Sequence, residues 1–344
     1  MRQTLCYIPE TCYGIPVFGW GWGLGFLIAF VIVTHCYQYL RYRKIYDIDS
    51  SLALLGIGGA VFVFVIPHLA EPGLGIPIRG YGFCLLIAIF AALALVVHLA
   101  KRQSIATTEK VYSLCFWTII AGIVSARLFY VTEYWQHYLF DSQTGQPLQF
   151  HESLFRAINF PDGGITVFGA ILGGILGAVI FMFRNNMPVF RTFDVMAPAV
   201  ALGMAIGRIG CLLNGCCFGD VTDLSWGIVF PPGSPVHDYQ IAHSLVPYSS
   251  IVLPVHPTQI YSSCLALLLC GTLLFLGRLP FYRQRAGLVF ASFMLLYSVG
   301  RFMIEFVRTD EDSFLGTGLT ISQNVSIVFF VMGIALFMYV VKRR

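Results

Sequence analysis

Runs of about 20 apolar residues recur along this chain, and each is long enough to cross a bilayer as a helix. A helix pairs all its backbone N–H and C=O groups internally, which hydrocarbon demands. Nine spans are predicted, at roughly 18–37, 52–69, 80–100, 111–131, 163–183, 194–214, 258–277, 286–307 and 321–341. Only 11% of the 344 residues are charged and 57% are hydrophobic, whereas soluble domains carry about 25% charge. The expected class is an all-α, multi-pass integral membrane protein. The net charge of +4 is small. No RNA- or DNA-binding pattern is present, so no nucleic-acid partner is expected.

The basic residues sort by side. Arg41, Arg43, Lys44, Lys101, Arg102, Lys110, Arg184, Arg191, Arg278, Arg283, Arg285, Lys342, Arg343 and Arg344 fall on one side of the nine spans. Arg2, Arg79 and Arg156 fall on the other. The positive-inside rule then predicts an outside N-terminus and a cytoplasmic C-terminus. The first span lacks a basic n-region and a small-x-small site behind it, so it reads as a retained anchor rather than a cleaved signal. Thr4-Leu5-Cys6 has no apolar region before it and is not a lipoprotein signal. Cys6 and Cys12 lie in the outside arm, and a disulfide between them is open if that compartment is oxidising.

The first two spans hold no ionisable residue away from their ends. Every unusual polar residue lies from Tyr81 onward. Residues 1–75 are therefore expected to be a two-helix extension, and residues 76–344 a seven-helix core. Two outside segments are long, about 132–162 and 215–257. The second carries Trp226, Phe230, Pro231, Pro232 and Tyr239 among few charges; it suits either the headgroup layer, where aromatic residues are favoured, or a plain surface loop. Gly169, Gly173 and Gly177 repeat every four residues and predict close helix packing.

Four arginines remain: Arg127, Arg208, Arg301 and Arg308. Each sits inside an apolar span, where an arginine costs roughly 2.5–3.5 kcal/mol at the centre. Helices alternate in direction, so all four fall toward the outside, with Tyr81, Asp162, Gly163, Gly164, Asn214 and His256 at the same level. A common anionic guest explains such a gathering, and a phospholipid headgroup is the abundant one. Tyr297, Arg301, Glu305 and Arg308 predict one polar stripe on the eighth helix. Glu305 can pair with either arginine; the two leave spare positive charge. An ion-pair ladder that only joins helices is the competing reading. Cys211, Cys216 and Cys217 fit no common zinc spacing, so no metal is expected.

The run Gly207-Arg208-Ile209-Gly210-Cys211-Leu212-Leu213-Asn214-Gly215-Cys216-Cys217-Phe218-Gly219 resembles the signature of the prolipoprotein diacylglyceryl transferase family. His256-Pro257-Thr258-Gln259-Ile260-Tyr261, Tyr297-Ser298-Val299-Gly300-Arg301-Phe302, Ala126-Arg127-Leu128-Phe129-Tyr130 and Arg79-Gly80-Tyr81-Gly82 resemble its other blocks, in order over about 80–340. The resemblance implies seven core helices in a bacterial cytoplasmic (inner) membrane. It also implies transfer of the diacylglyceryl group of phosphatidylglycerol to the lipobox cysteine thiol in the signal peptide of a prolipoprotein, with release of glycerol phosphate. No cofactor is implied.

By the same resemblance Arg208 and Arg301 hold the phosphate and steady the leaving group, while Tyr297 and Tyr81 donate hydrogen bonds or order the pocket. Asn214 and Gly219 shape the loop over the headgroup. Glu305 orients Arg301, Arg308 completes the positive field, and Arg127 and Asp162 contribute to phosphatidylglycerol binding. His256 either transfers a proton or caps its helix. The chain departs from the family at Phe168, where many members carry a histidine after the paired glycines. That keeps open an inactive homologue that binds phospholipid or prolipoprotein. A membrane transporter is a weaker alternative, since the charges lie near one surface and no internal repeat is visible.

Overall fold

The computed structural model describes residues 4–12, 15–17, 24–29, 31–33, 63, 70–71, 73–139, 149–158, 164, 166–247, 252–308 and 318–343. The first two expected spans, 18–37 and 52–69, fall mostly outside these residues, as do Asp162 and Gly163. Among the described residues, seven helices are long and apolar enough to cross a membrane. They are α1 Gly80–Arg102, α2 Thr108–Glu133, α3 Val167–Arg184, α4 Val189–Asn214, α5 Thr258–Leu276, α6 Leu288–Glu305 and α7 Ile321–Lys342. Each coincides with one of the last seven spans read from the sequence. The largest shifts are at α3, which begins at Val167 rather than near 163, and at α4, which begins at Val189 rather than near 194.

The chain divides into two compact units, one made of Met1–Cys84, Gly210–Cys216 and Phe230–Val252, the other of Leu85–Ile209, Cys217–Val229 and Leu253–Arg344. The smaller unit contains strands that hydropathy did not announce. β1 (Thr4–Ile8) pairs antiparallel with β4 (Ile76–Arg79), and β2 (Thr11–Cys12) pairs with β3 (Ile15–Pro16). The expected boundary at 75/76 thus falls between two strands that share a ladder. Gly75 makes the approach possible: its φ is +98°, and a Cβ there would lie 2.0 Å from the Ile8 carbonyl oxygen. The Tyr7 hydroxyl donates to Glu71 (3.1 Å), and the Gly73 N–H donates to Glu10 (3.1 Å). Phe230, in the segment read from sequence as either headgroup layer or surface loop, is buried here and packs over Gly215. In the other unit Trp226 stays exposed and donates its indole N–H to the Tyr261 hydroxyl at 2.8 Å.

In the larger unit, α2 and α3 meet through glycines. A Cβ at Gly173 would lie 2.1 Å from the Ser125 Cβ, and one at Gly177 would lie 2.4 Å from the Ala121 Cβ. The four-residue glycine repeat is therefore a packing face, as its spacing predicted. A second core lies where Ala197 and Ala201 of α4, Leu269 and Leu273 of α5, and Val289, Phe293 and Met294 of α6 converge. The start of α6 is fixed from a distance. Gly287, at φ +99°, has no side chain to cap the helix. Asp194 of α4 supplies the acceptors, taking the N–H groups of Gly287 (2.6 Å) and Phe290 (2.8 Å).

Candidate functional site

The centre of interest is a pocket between α4, α5 and α6. Arg208 comes from α4; Ser262, Leu265 and Ala266 from α5; Tyr297 and Arg301 from α6. Local packing explains the convergence. A Cβ on Gly300 would lie 2.3 Å from Leu265, so glycine beside Arg301 permits the close approach of α6 to α5. The Ser263 hydroxyl donates to the Ala205 carbonyl (2.8 Å) and ties α5 to α4 one turn before Arg208. Tyr297 is held by stacking on Phe293 (centroids 5.6 Å apart) and by the edge of Phe329 (6.3 Å).

The two arginines in this pocket are electrostatically unlike. Arg301 Nη1 pairs with Glu305 Oε2 at 2.5 Å, and its Nη2 donates to the Ser322 hydroxyl at 2.8 Å. The other Glu305 oxygen accepts from the Thr320 hydroxyl at 3.0 Å. Glu305 is buried, so its charge is balanced on the spot. Arg208, half-buried and facing the same pocket, has no hydrogen-bond or ion-pair partner among the described residues. The pocket thus keeps one uncompensated positive charge beside a compensated one, against an otherwise apolar wall. That arrangement fits one anionic group joined to apolar chains.

Other residues expected at the site separate into three places. Gly219 and His256 meet where the loop after α4 joins the start of α5. The Gly219 N–H donates to the His256 carbonyl (3.0 Å), and the Asp220 N–H donates to the Val307 carbonyl just beyond α6 (3.0 Å). A Cβ at Gly219 would lie 2.4 Å from the Val307 oxygen, so only glycine fits. His256 Nδ1 is 3.4 Å from the Tyr261 hydroxyl. Tyr81 and Asn214 belong to the smaller unit, where Tyr81 packs against Gly210. Arg127 is buried elsewhere in the larger unit, as described next.

Arg127 gives one hydrogen bond from each guanidinium nitrogen to a main-chain carbonyl: Nε to Ala157 (2.9 Å), Nη1 to Gly164 (3.0 Å) and Nη2 to Arg156 (2.9 Å). Ala157 and Arg156 close the short amphipathic helix Phe150–Ile158, whose last carbonyls lack helical partners and whose dipole favours a cation there. Gly164 has φ +80°, and a Cβ on it would crowd Tyr130 and Arg127.

Arg308 corrects the stripe read from sequence. The helix ends at Glu305, so Arg308 lies three residues past it, and its N–H donates to the Glu305 carbonyl (3.1 Å). Arg301 pairs with the Glu305 carboxylate, as its spacing of four residues allows. Phe168, in the first turn of α3, is exposed and is not part of the pocket wall. Thr320 and Ser322 were not singled out from the sequence. A Thr-x-x-Gln cap before an apolar run was readable there, but its reach to Glu305 was not.

Comparison with known proteins bears on all of this. The family model for prolipoprotein diacylglyceryl transferase matches residues 67–339. A phosphatidylglycerol–prolipoprotein diacylglyceryl transferase of Rhodopirellula baltica is 34% identical over 254 residues, covering 70% of this chain and 49% of the relative. The second such protein of Clostridium perfringens is 32% identical over 263 residues, 76% of this chain and 91% of that one. One from Synechococcus elongatus is 35% identical over 272 residues, 78% and 85% respectively.

Proposed function

The chain belongs to the prolipoprotein diacylglyceryl transferase family, and we propose that it moves the diacylglyceryl group of phosphatidylglycerol onto a prolipoprotein cysteine thiol. The observation that supports the reading is the pocket in which Arg208, with no counter-ion among the described residues, stands beside Arg301, which Glu305 balances.

The chemistry follows from that charge arrangement. The cysteine sulfur, as thiolate, attacks the glyceryl carbon and forms a thioether. The carbon–oxygen bond breaks, glycerol phosphate leaves with the electron pair, and the thiol proton is released. Negative charge grows on the leaving phosphate. Donors already oriented in a dry site stabilise that charge well. Arg208 carries the free positive charge for the phosphate, and Arg301 adds donors held in place by Glu305. The same positive field favours thiolate over thiol, whose free pKa is about 8.5. Tyr297 orders the pocket and Gly219 shapes the loop beside it, while Tyr81, Asn214, Arg308 and Asp162 enter the proposal through the family resemblance alone. His256 holds a hydrogen-bonding place beside Tyr261 from which it serves proton transfer. Arg127, committed to three carbonyls, holds the outside segment rather than the lipid.

The acceptor in this reading is the lipobox cysteine of a signal peptide in the bacterial inner membrane. The N-terminus lies outside and the C-terminus in the cytoplasm, with residues 1–75 as an extension carrying two further spans. The test is a transfer assay on purified protein with phosphatidylglycerol and a lipobox peptide. Thioether product from the wild type, lost in Arg208→Ala, is expected. A folded wild type that binds both substrates and forms no thioether would overturn the reading in favour of an inactive homologue.

A further inference from the structure

The end of α6 and the start of α7 are joined by a chain of side-chain contacts that begins at Arg301 and ends outside the pocket. Thr320 is the N-cap of α7. Its hydroxyl accepts from the Gln323 N–H (3.2 Å), while the Gln323 side chain accepts from the Thr320 N–H (3.1 Å). A hydroxyl has one proton and two lone pairs, so Thr320 can cap α7 and still donate to Glu305 Oε1 at 3.0 Å. The two oxygens of Glu305 are thereby divided, Oε1 to Thr320 and Oε2 to Arg301. Ser322, two residues further on, accepts from the second guanidinium nitrogen of Arg301 at 2.8 Å.

Two partners on two different nitrogens fix the plane of a guanidinium, whereas a single partner leaves it free to rotate. A carboxylate pinned at one oxygen likewise cannot swing away from the arginine it pairs with. Glu305 also sits at the N-terminus of α7, where the helix dipole favours negative charge. We infer that Thr320 and Ser322 are positioning residues: they set the direction of Arg301 from α7, Thr320 through Glu305 and Ser322 directly. Neither lines the pocket. The inference rests on the transferase reading for its rate measurements, but not for its chemical one.

Thr320 also stabilises its own helix, and the two jobs are separable. Gln323→Ala cuts the same capping box and leaves the Thr320 hydroxyl on Glu305. The experiment uses the full chain in detergent. Phenylglyoxal modification of Arg301 is followed by peptide mass spectrometry for wild type, Thr320→Val, Thr320→Ser, Ser322→Ala and Gln323→Ala. Thermal midpoints, kcat and KM are measured alongside. Thr320→Val and Ser322→Ala are expected to speed Arg301 modification severalfold and to lower kcat more than they change KM. Thr320→Ser restores both. Gln323→Ala lowers the thermal midpoint and leaves Arg301 modification as in wild type. Unchanged modification in Thr320→Val and Ser322→Ala would overturn the inference, as would an equal rise in Gln323→Ala. If Thr320→Val does not fold, Ser322→Ala decides alone. A wild type that transfers no lipid, with the modification series as expected, sinks the transferase reading and leaves the positioning intact.

Discussion

The seam between α2 and α3 and the seam around α6 each bury an arginine, and they use it in opposite ways. At the first, glycines bring backbones together and Arg127 spends a hydrogen bond from every guanidinium nitrogen on main-chain carbonyls. At the second, Arg301 meets a carboxylate and a hydroxyl, and Arg208 nearby meets no partner among the described residues. Carbonyl oxygens are fixed parts of the chain and do not exchange with a ligand. A pocket-facing arginine with no acceptor is ready for an incoming anion. On the proposed reading, the type of acceptor, more than depth in the membrane, is what separates a structural arginine from a working one.

The sharpest way to break this contrast is at Arg208. Arg208→Ala is expected to lower kcat by about 10²–10³-fold, the usual cost of one transition-state donor, with little change in thermal stability. The reverse pattern is expected at Arg127. Arg127→Ala leaves three carbonyls without their donor, at ~1–3 kcal/mol for each buried unsatisfied group. Its thermal midpoint should fall clearly, while phosphatidylglycerol binding by the folded fraction stays near wild type. If Arg127→Ala instead weakens lipid binding at unchanged stability, the contrast fails.

A smaller effect tests whether the α6 seam is built from outside itself. Asp194→Ala removes the carboxylate that caps Gly287 and Phe290, and should cost about 1–2 kcal/mol in unfolding experiments. The smallest effect is expected at Phe168. A working general base contributes roughly 10²–10⁴-fold, so a Phe168→His variant with kcat within about twofold of wild type would show that position to be dispensable.

Much of the architecture was readable because its signals are local. Hydropathy runs placed α1 to α7, and the four-residue glycine spacing placed the α3 face on α2. The Arg301–Glu305 pair was readable for the same reason, since residues four apart in a helix are neighbours. Other features depend on where the chain stops or turns. Arg308 lies beyond the helix because α6 ends two residues sooner than the apolar pattern does. The carbonyls that take Arg127 lie 29 to 37 residues away in sequence, beyond any local signal. Asp194 reaches a glycine 93 residues on. Thr320 and Ser322 look like ordinary helix-start residues until α7 is set beside α6. The β1–β4 ladder escaped notice because two short strands, 68 or more residues apart in sequence (Ile8 to Ile76), carry no period long enough to read.

The tie from Arg301 through Glu305 to Thr320 also bears on how the protein is made. A growing chain that has delivered α4, α5 and α6 to the bilayer holds every residue of the pocket wall, yet not the hydroxyls that steady it. Those arrive only with α7, which follows α6 in the chain. Until then the carboxylate lacks its bond from Thr320, and the arginine its bond to Ser322. If Thr320 and Ser322 do position Arg301, that positioning waits on α7 reaching its place beside α6.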